Sequence, residues 1–278
     1  MTGVRRPAVA GSWYPGEAAA LEREVDGYLA AVEPAKVPGP LVALISPHAG
    51  LRYSGAVAAY AYALLRDRRD LTVVLVGPSH RAAFDGVAVQ SRGRFITPLG
   101  EIPIDAEAAE ALLAAGDVVH EDPRPHRDEH SLEMQLPFLQ RRVPGLRLVP
   151  LLMGTQSRQE VDELARALAR ALAGHDALMV ASSDLSHYHP APVANDLDAR
   201  VVSDVQGFDP ESLMDRLESF RGHACGGGPM VAVMKAARER GASRATVLRY
   251  ADSGDAGERD KSRVVGYLAA ALTAPEAA

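Results

Sequence analysis

The sequence predicts an α/β fold built on a mixed, largely parallel sheet with helices on both faces. Three observations carry that reading. Short, continuously apolar runs recur at 41–45, 72–76, 146–152 and 177–181, the pattern of strands buried on both faces. Stretches of helical length lie between or after them. A denser set of β signals between Val87 and Ile104 argues that the sheet is not purely parallel.

Taken in chain order, a helix is predicted over 17–32. It stops before Glu33-Pro34-Ala35-Lys36-Val37-Pro38-Gly39-Pro40, the one linker-like segment. A strand at 41–45 and a helix over 55–66 follow, then a strand at 72–76 and a further one at 87–90. Helices are expected over 106–115 and 129–142, a strand at 146–152, a helix over 159–173 and a strand at 177–181. A helix over 229–240 precedes two last strands, at 245–250 and 264–270. No fixed-period repeat or low-complexity tract appears. The piece before the linker is too small to be a domain, so residues 1–278 read as one α/β domain with an N-terminal arm and helix, 1–40, packed on it.

Composition narrows the class. The chain has 278 residues, 47% hydrophobic and 24% charged, which is ordinary globular composition. Its net charge of −6 and the lack of any long basic run exclude a nucleic-acid footprint. One cysteine excludes an intramolecular disulfide, a zinc finger and an iron–sulfur cluster held by cysteines alone. The apolar run after Arg5-Arg6 is too short for a signal peptide, and the longest apolar stretch, 264–271, falls short of the ~20 residues that span a bilayer. The expectation is a cytoplasmic protein with no membrane partner.

In open α/β sheets, ligands bind beyond the carboxyl ends of the strands. Ser46-Pro47-His48-Ala49-Gly50, Gly77-Pro78-Ser79-His80 and Ser182-Ser183-Asp184-Leu185-Ser186-His187-Tyr188-His189 all follow predicted strands, and Cys225 lies in a glycine-rich turn immediately before a helix. Singly, each segment reads as a turn, and a lone cysteine as a small buried hydrophobe. Together they permit two constructions. In one, His48, His80 and Cys225 ligate a transition metal and His187 acts as acid/base beside it. Two imidazoles and one anionic ligand with open positions suit a redox-active or Lewis-acid ion. In the other, Cys225 is a nucleophile favoured by the following helix N-terminus and activated by His187 or His223. The metal construction uses two histidines that the nucleophile leaves idle.

His126-Arg127-Asp128-Glu129-His130 also matches the H-x-x-E-H string of inverted zinc peptidases, which needs both histidines on one helix. Pro123 and Pro125 precede it and Asp128 suits an N-cap, so the helix is expected to begin after His126 and the match to be coincidental. Glu129, His130 and Glu133 remain candidates for orienting a ligand or substrate; otherwise this is an ordinary amphipathic helix with Leu132, Leu136 and Leu139 inward and its acids solvated. Trp13, Tyr14 and Tyr53 are candidates to line a cleft, His189 to stand behind it, and Asp252, at the end of a predicted strand, to join it.

Six ordered segments then resemble one family: Ala10-Gly11-Ser12-Trp13-Tyr14-Pro15; Pro47-His48-Ala49-Gly50 with Tyr53-Ser54-Gly55; Gly77-Pro78-Ser79-His80; Glu129-His130-Ser131-Leu132-Glu133 with Leu136-Pro137-Phe138; Ser182 to Tyr188; and the Cys225-Gly226 turn. The sequence resembles the Memo family, whose bacterial members carry the label AmmeMemoRadiSam system protein B. That family looks like the LigB-type class III extradiol dioxygenases, non-haem iron enzymes with a three-layer α/β/α sandwich. The resemblance implies that His48 and His80 match the two histidine ligands, that Cys225 takes the place of the carboxylate ligand, and that His187 falls where the acid/base histidine sits. Asp184 is expected to orient His187. The cysteine departs from the dioxygenases and weakens any inference of catechol ring cleavage. Leu51 departs from the tyrosine expected after Pro-His-Ala-Gly.

The leading expectation is thus a metal-binding protein with one iron(II) or copper ion, zinc ranking behind them, doing redox or oxygen-linked chemistry. A second is a non-catalytic module whose cleft holds a small molecule, peptide or partner protein. A third is a metal-free cysteine enzyme. The family label also implies a functional link to radical SAM and AMMECR-type proteins.

Overall fold

The computed structural model describes residues 3–256 and 260–276. The chain opens with β1 (Val4–Arg5) and α1 (Ala18–Ala30), then β2 (Leu41–Ser46), α2 (Leu51–Ala63) and β3 (Thr72–Pro78). Three short strands, β4 (Val87–Val89), β5 (Arg94–Thr97) and β6 (Gly100–Pro103), lead to α3 (Ala106–Ala114) and β7 (Val119–Glu121). There follow α4 (Leu136–Arg142), β8 (Arg147–Met153), α5 (Arg158–Ala171), β9 (Ala177–Ser182) and β10 (Asp184–His189). Helices α6 (Ala191–Gln206), α7 (Pro210–Ser219) and α8 (Gly227–Glu239) precede β11 (Arg244–Asp252) and β12 (Val264–Thr273).

The main sheet is mixed. Strands β2, β9, β3 and β8 lie side by side and parallel, in that order. Beyond β8, β4 runs antiparallel, with β7 parallel to it. On the other side of β2, β12 runs antiparallel and carries β11 on its far edge. Strands β1, β5 and β6 form a separate three-stranded sheet.

Each central strand is apolar on both faces because helices cover both. In β3, Val74 and Val76 pack with α3, α5, α7 and α8, while Val73 and Leu75 pack with α1, α2 and α4. All four are fully buried, each contributing about 1.5–3 kcal/mol of transfer free energy. The result is three layers, α/β/α. No described helix is long and apolar enough to cross a membrane.

The expected helix over 129–142 is corrected. Residues 129–132 are irregular, Glu133–Gln135 form one 3-10 turn, and only Leu136–Arg142 is α-helical. The carboxylate of Glu129 accepts from the amides of His130 and Ser131, giving those N–H groups a partner outside any helix. Pro137 is tolerated at the start of α4, where its missing N–H has no intrahelical partner to lose. Asp128 therefore caps no helix, and His126 and His130 share none. Glu133 is not solvated but fully buried. The helix expected from Gly55 begins at Leu51, and Gly55 lies inside it because the Tyr28 ring packs there, 2.6 Å from where a Cβ would stand.

Helices α6 and α7 and strands β7 and β10 were not evident in the sequence. The two helices bury narrow stripes, such as Val201 and Val205, in otherwise polar stretches. Strand β10, Asp-Leu-Ser-His-Tyr-His, has no apolar run. It forms because the chain leaving β9 crosses the end of β2, where the Ser183 amide donates to Ser46 O at 3.0 Å, and pairs antiparallel with β12.

Candidate metal centre

Because β2, β3 and β9 are parallel, they end at one edge. Two residues past each strand end stands a polar side chain: His48 after β2, His80 after β3, Asp184 after β9. Cys225 arrives from the opposite direction, in the turn before α8. Its amide donates to Asp184 O at 3.2 Å. Gln156, beyond β8, holds that turn by donating through Nε2 to Cys225 O (2.9 Å) and accepting at Oε1 from Gly228 N (2.7 Å).

The hydrogen bonds settle where the protons of His48 lie. The Ser182 hydroxyl donates to Ser131 O at 2.7 Å, so toward its other neighbours it can only accept. Those neighbours are Gln135 Nε2 at 2.8 Å and His48 Nδ1 at 2.9 Å. The Gln135 amide is oriented by Tyr62, whose hydroxyl donates to Oε1 at 2.6 Å, and by Pro47 O, which accepts from Nε2 at 2.9 Å. Nδ1 of His48 therefore carries the hydrogen and Nε2 presents a lone pair, 3.2 Å from Cys225 Sγ. Burial, then the neighbouring His130 and His80 rings, hold His48 neutral, well below the usual histidine range.

Glu129 does for His80 what Ser182 does for His48. Its Oε1 accepts from His80 Nδ1 at 2.9 Å and its Oε2 from the His80 amide, so His80 Nε2 is the free lone pair. Burial alone would raise the Glu129 carboxyl; the hydrogen bond from His80, with the neighbouring His80 and His130 rings and the Ser131 amide, outweighs it and holds the group at about 2. Gly77 admits this loop over β3, since a Cβ there would stand 2.7 Å from Leu132 and 2.9 Å from Ser131 Oγ.

Ligand atoms of His48, His80 and Cys225 lie within 4.8 Å of one another, a group that could hold a metal ion. The same spacing holds for His80, Glu129 and His130. That second trio is chemically poorer, because the Glu129 oxygens already accept from two His80 groups and from the His130 and Ser131 amides. Burial pushes the Cys225 thiol up, and the Asp184 carboxylate pushes it further.

Around the trio, the His80 and His130 rings stack with centroids 4.5 Å apart, and the Trp13 indole lies 4.3 Å from His130. Burial takes the His130 pKa down to about 4 against the pull of Glu129. Tyr14 and Glu133 lie behind this wall. The Glu133 carboxylate accepts from the Tyr14 hydroxyl, the amides of Ala8 (2.8 Å) and Val9 (3.1 Å), and Arg5, with which it forms a buried ion pair. Arg5 also donates to His126 O at 2.9 Å and to Glu129 O. Glu133 thus anchors the N-terminal arm to the loop that carries Glu129. No sequence motif points to Arg5 or Gln135, whereas Ser131 and Ser182 lie inside the motifs around Glu129 and Asp184.

His187 is half-buried on β10, between two register shifts, and burial lowers its pKa. The Asp184 carboxylate serves the His48 loop: Oδ1 accepts from His48 N at 2.7 Å, and burial raises the group to about 7 against the His48 and Ala49 amides. Strand β10 is held instead by Asp198, fully buried, whose Oδ1 accepts from Ser186 N at 2.9 Å and Oδ2 from the Tyr250 hydroxyl at 2.8 Å. His189 ends β10 opposite Val264. Tyr53 lies in the first turn of α2 beneath the Arg52 guanidinium, 4.6 Å from its ring centroid. Asp252 is buried in a turn of its own, accepting from Gly254 N and Lys261 Nζ at 2.8 and 2.7 Å.

Comparison with known proteins agrees with the motifs. The sequence profile of the Memo-like proteins matches residues 5–271. A MEMO1 family protein of Methanosarcina mazei is 39% identical over 269 residues, covering 96% of this chain and 98% of the relative. One from Ignicoccus hospitalis is 38% identical over 284 residues, covering 98% and 99%. The crystal structure of an uncharacterized protein from Escherichia coli K12 covers 82% of this chain and 99% of its own with a TM-score of 0.53 at 17% identity, a likeness of fold alone. With both the profile and the relatives spanning nearly its whole length, the chain belongs to the Memo family.

Proposed function

We propose that this chain binds one iron(II) or copper ion on His48, His80 and Cys225 and uses it for redox or oxygen-linked chemistry on a small molecule in the strand-end cleft. The observation that carries the reading is the pair of locked imidazoles. Both Nδ1–H groups are spent, on Ser182 and Glu129, and the Nε2 lone pair of His48 stands 3.2 Å from the sulfur of the one cysteine. Two neutral imidazoles and a thiolate are a donor set suited to iron or copper, with zinc a weaker alternative for redox work. Such an ion, when bound, supplies electron transfer or Lewis acidity.

The chain's own groups do the rest. Cys225 ligates as a thiolate, so its proton leaves on binding and uptake rises with pH. His187, neutral at pH 7, accepts a proton from a substrate hydroxyl or returns one. Asp184 holds the His48 loop and Asp198 holds β10, so the two sides of the cleft keep their spacing. Trp13 packs on His130 beside the ligand trio. The upward shift of the Cys225 thiol argues against a metal-free nucleophile, which would need the thiolate at neutral pH without an ion to stabilise it.

The test is elemental analysis after anaerobic loading with iron(II) or copper(I), on wild type, His48→Ala and Cys225→Ser. Near-stoichiometric metal in the wild type with loss in His48→Ala and weakened retention in Cys225→Ser is the expected result. A wild type that retains no ion after loading overturns the proposal and leaves the cleft a non-catalytic binding site.

A further inference from the structure

A cavity of about 220 Å³ lies beside Cys225, between α7, the turn that follows it and the start of α8. Met214, Leu217 and Ala224 give it apolar walls, and all three are buried. Gln156 also lines it, but both ends of its amide are already bonded, to Cys225 O and Gly228 N. Two charged residues complete the lining. Glu218 is committed: Arg158 grips both of its oxygens, at 3.1 and 2.6 Å. Arg221 is exposed and, among the described residues, has no hydrogen bond or ion pair. The cavity thus offers a hydrocarbon surface with one cation that makes no hydrogen bond, its charge felt by Glu218, whose oxygens Arg158 already holds; one of its walls is the residue whose sulfur faces His48.

We propose that this cavity binds a small carboxylate carrying an aryl or short branched acyl group. The hydrocarbon lies against Met214, Leu217 and Ala224, and the carboxylate pairs with Arg221. The volume is below the ~300–1,000 Å³ of pockets that take drug-sized ligands, so a nucleotide or a long peptide does not fit. The binding claim stands without a metal. The further step, that this is where the far end of the substrate of the proposed metal centre sits, rests on that reading and on Cys225 being common to both.

The experiment titrates the full chain, metal-free and metal-loaded, with 3-phenylpropionate and with its neutral amide, followed by ligand-observed NMR. The proteins are wild type, Arg221→Met and Leu217→Trp, with circular dichroism to verify folding. Saturable binding of the acid is expected in the wild type. Arg221→Met, a surface change, should weaken the acid about two- to fivefold, the upper part of the range for a solvent-exposed ion pair, and leave the amide unchanged. Leu217→Trp should abolish both. No saturable binding by wild type, or equal affinity of acid and amide in wild type and Arg221→Met, overturns the proposal. Should Leu217→Trp not fold, the Arg221 comparison decides it alone. Because the metal-free titration does not depend on the ion, failure of the metal centre and failure of the cavity give separate results.

Discussion

Cys225 Sγ and His48 Nε2 stand 3.2 Å apart, and because the hydrogen of His48 is on Nδ1, the sulfur faces a lone pair while its own hydrogen is directed to Asp184 O at 3.6 Å. The pair is neutral on both sides. Burial keeps the imidazole unprotonated and, with the Asp184 carboxylate, keeps the thiol protonated. Metal-free protein should therefore react with iodoacetamide at pH 7 more than about tenfold more slowly than an ordinary thiol of pKa ~8.5, since only the thiolate attacks. Mass spectrometry of timed samples measures this. Rapid alkylation that ignores chelator would instead make Cys225 a nucleophile.

Glu129 touches His80 twice, through the ring and through the amide. Glu129→Gln keeps the volume but removes the charge and sets an amide NH2 against a donor. His80 then loses its tautomer lock. Metal affinity should fall about 10–100-fold, the usual cost of losing a group that orients a ligand, with the fold retained. Competition against a chromophoric chelator reads it; unchanged affinity would show that His80 is held without Glu129.

The site was more legible than the loop that supports it, and the reason is physical. His48, His80 and Asp184 sit two residues beyond strand ends, so continuous apolar runs locate them through the strand-end rule. Cys225 was visible as the only cysteine, before a helix. Residues 129–135 read as helix because Leu132 falls in helical register with Leu136 and Leu139 of α4, whereas Leu132 packs a loop over Gly77. Arg5 and Glu133 are 128 positions apart, and no local pattern joins them; only the fold does. Strand β10 carries no apolar run of its own because its pairing partner, β12, supplies the apolar half of the contact.

That Arg5–Glu133 pair makes a stability prediction. Both side chains are buried, at 2% and 0% exposure, so removing one leaves the other's charge without a partner. Arg5→Met should cost about 3–5 kcal/mol in urea unfolding. Adding Glu133→Gln should cost less than the sum of the two single changes, because the second removes the orphaned charge. Additive losses would mean the two act independently. The arm would then owe its position to Tyr14 and the Ala8 and Val9 amides.

His126 links pH to stability by a group remote from the proposed ligands. Its ring is buried, Nε2–H donates to Ala88 O at 3.2 Å, and Nδ1 has no partner among the described residues. Burial lowers its pKa from 6.5 to about 4, outweighing the Ala88 hydrogen bond. Between those values the unfolded chain binds a proton that the folded one refuses. Stability from this group is fully present above pH 6.5 and is lost as pH falls toward 4, at up to about 1.4 kcal/mol per pH unit and about 3 kcal/mol in all. His126→Gln keeps a donor for Ala88 O and cannot titrate. Urea unfolding at pH 4.5, 5.5, 6.5 and 7.5 should show the variant losing less stability than wild type on acidification, the gap between them closing as pH falls. Buried His48 and His130 titrate in the same direction, so the variant keeps part of the slope. Parallel curves for the two proteins would remove His126 from the account.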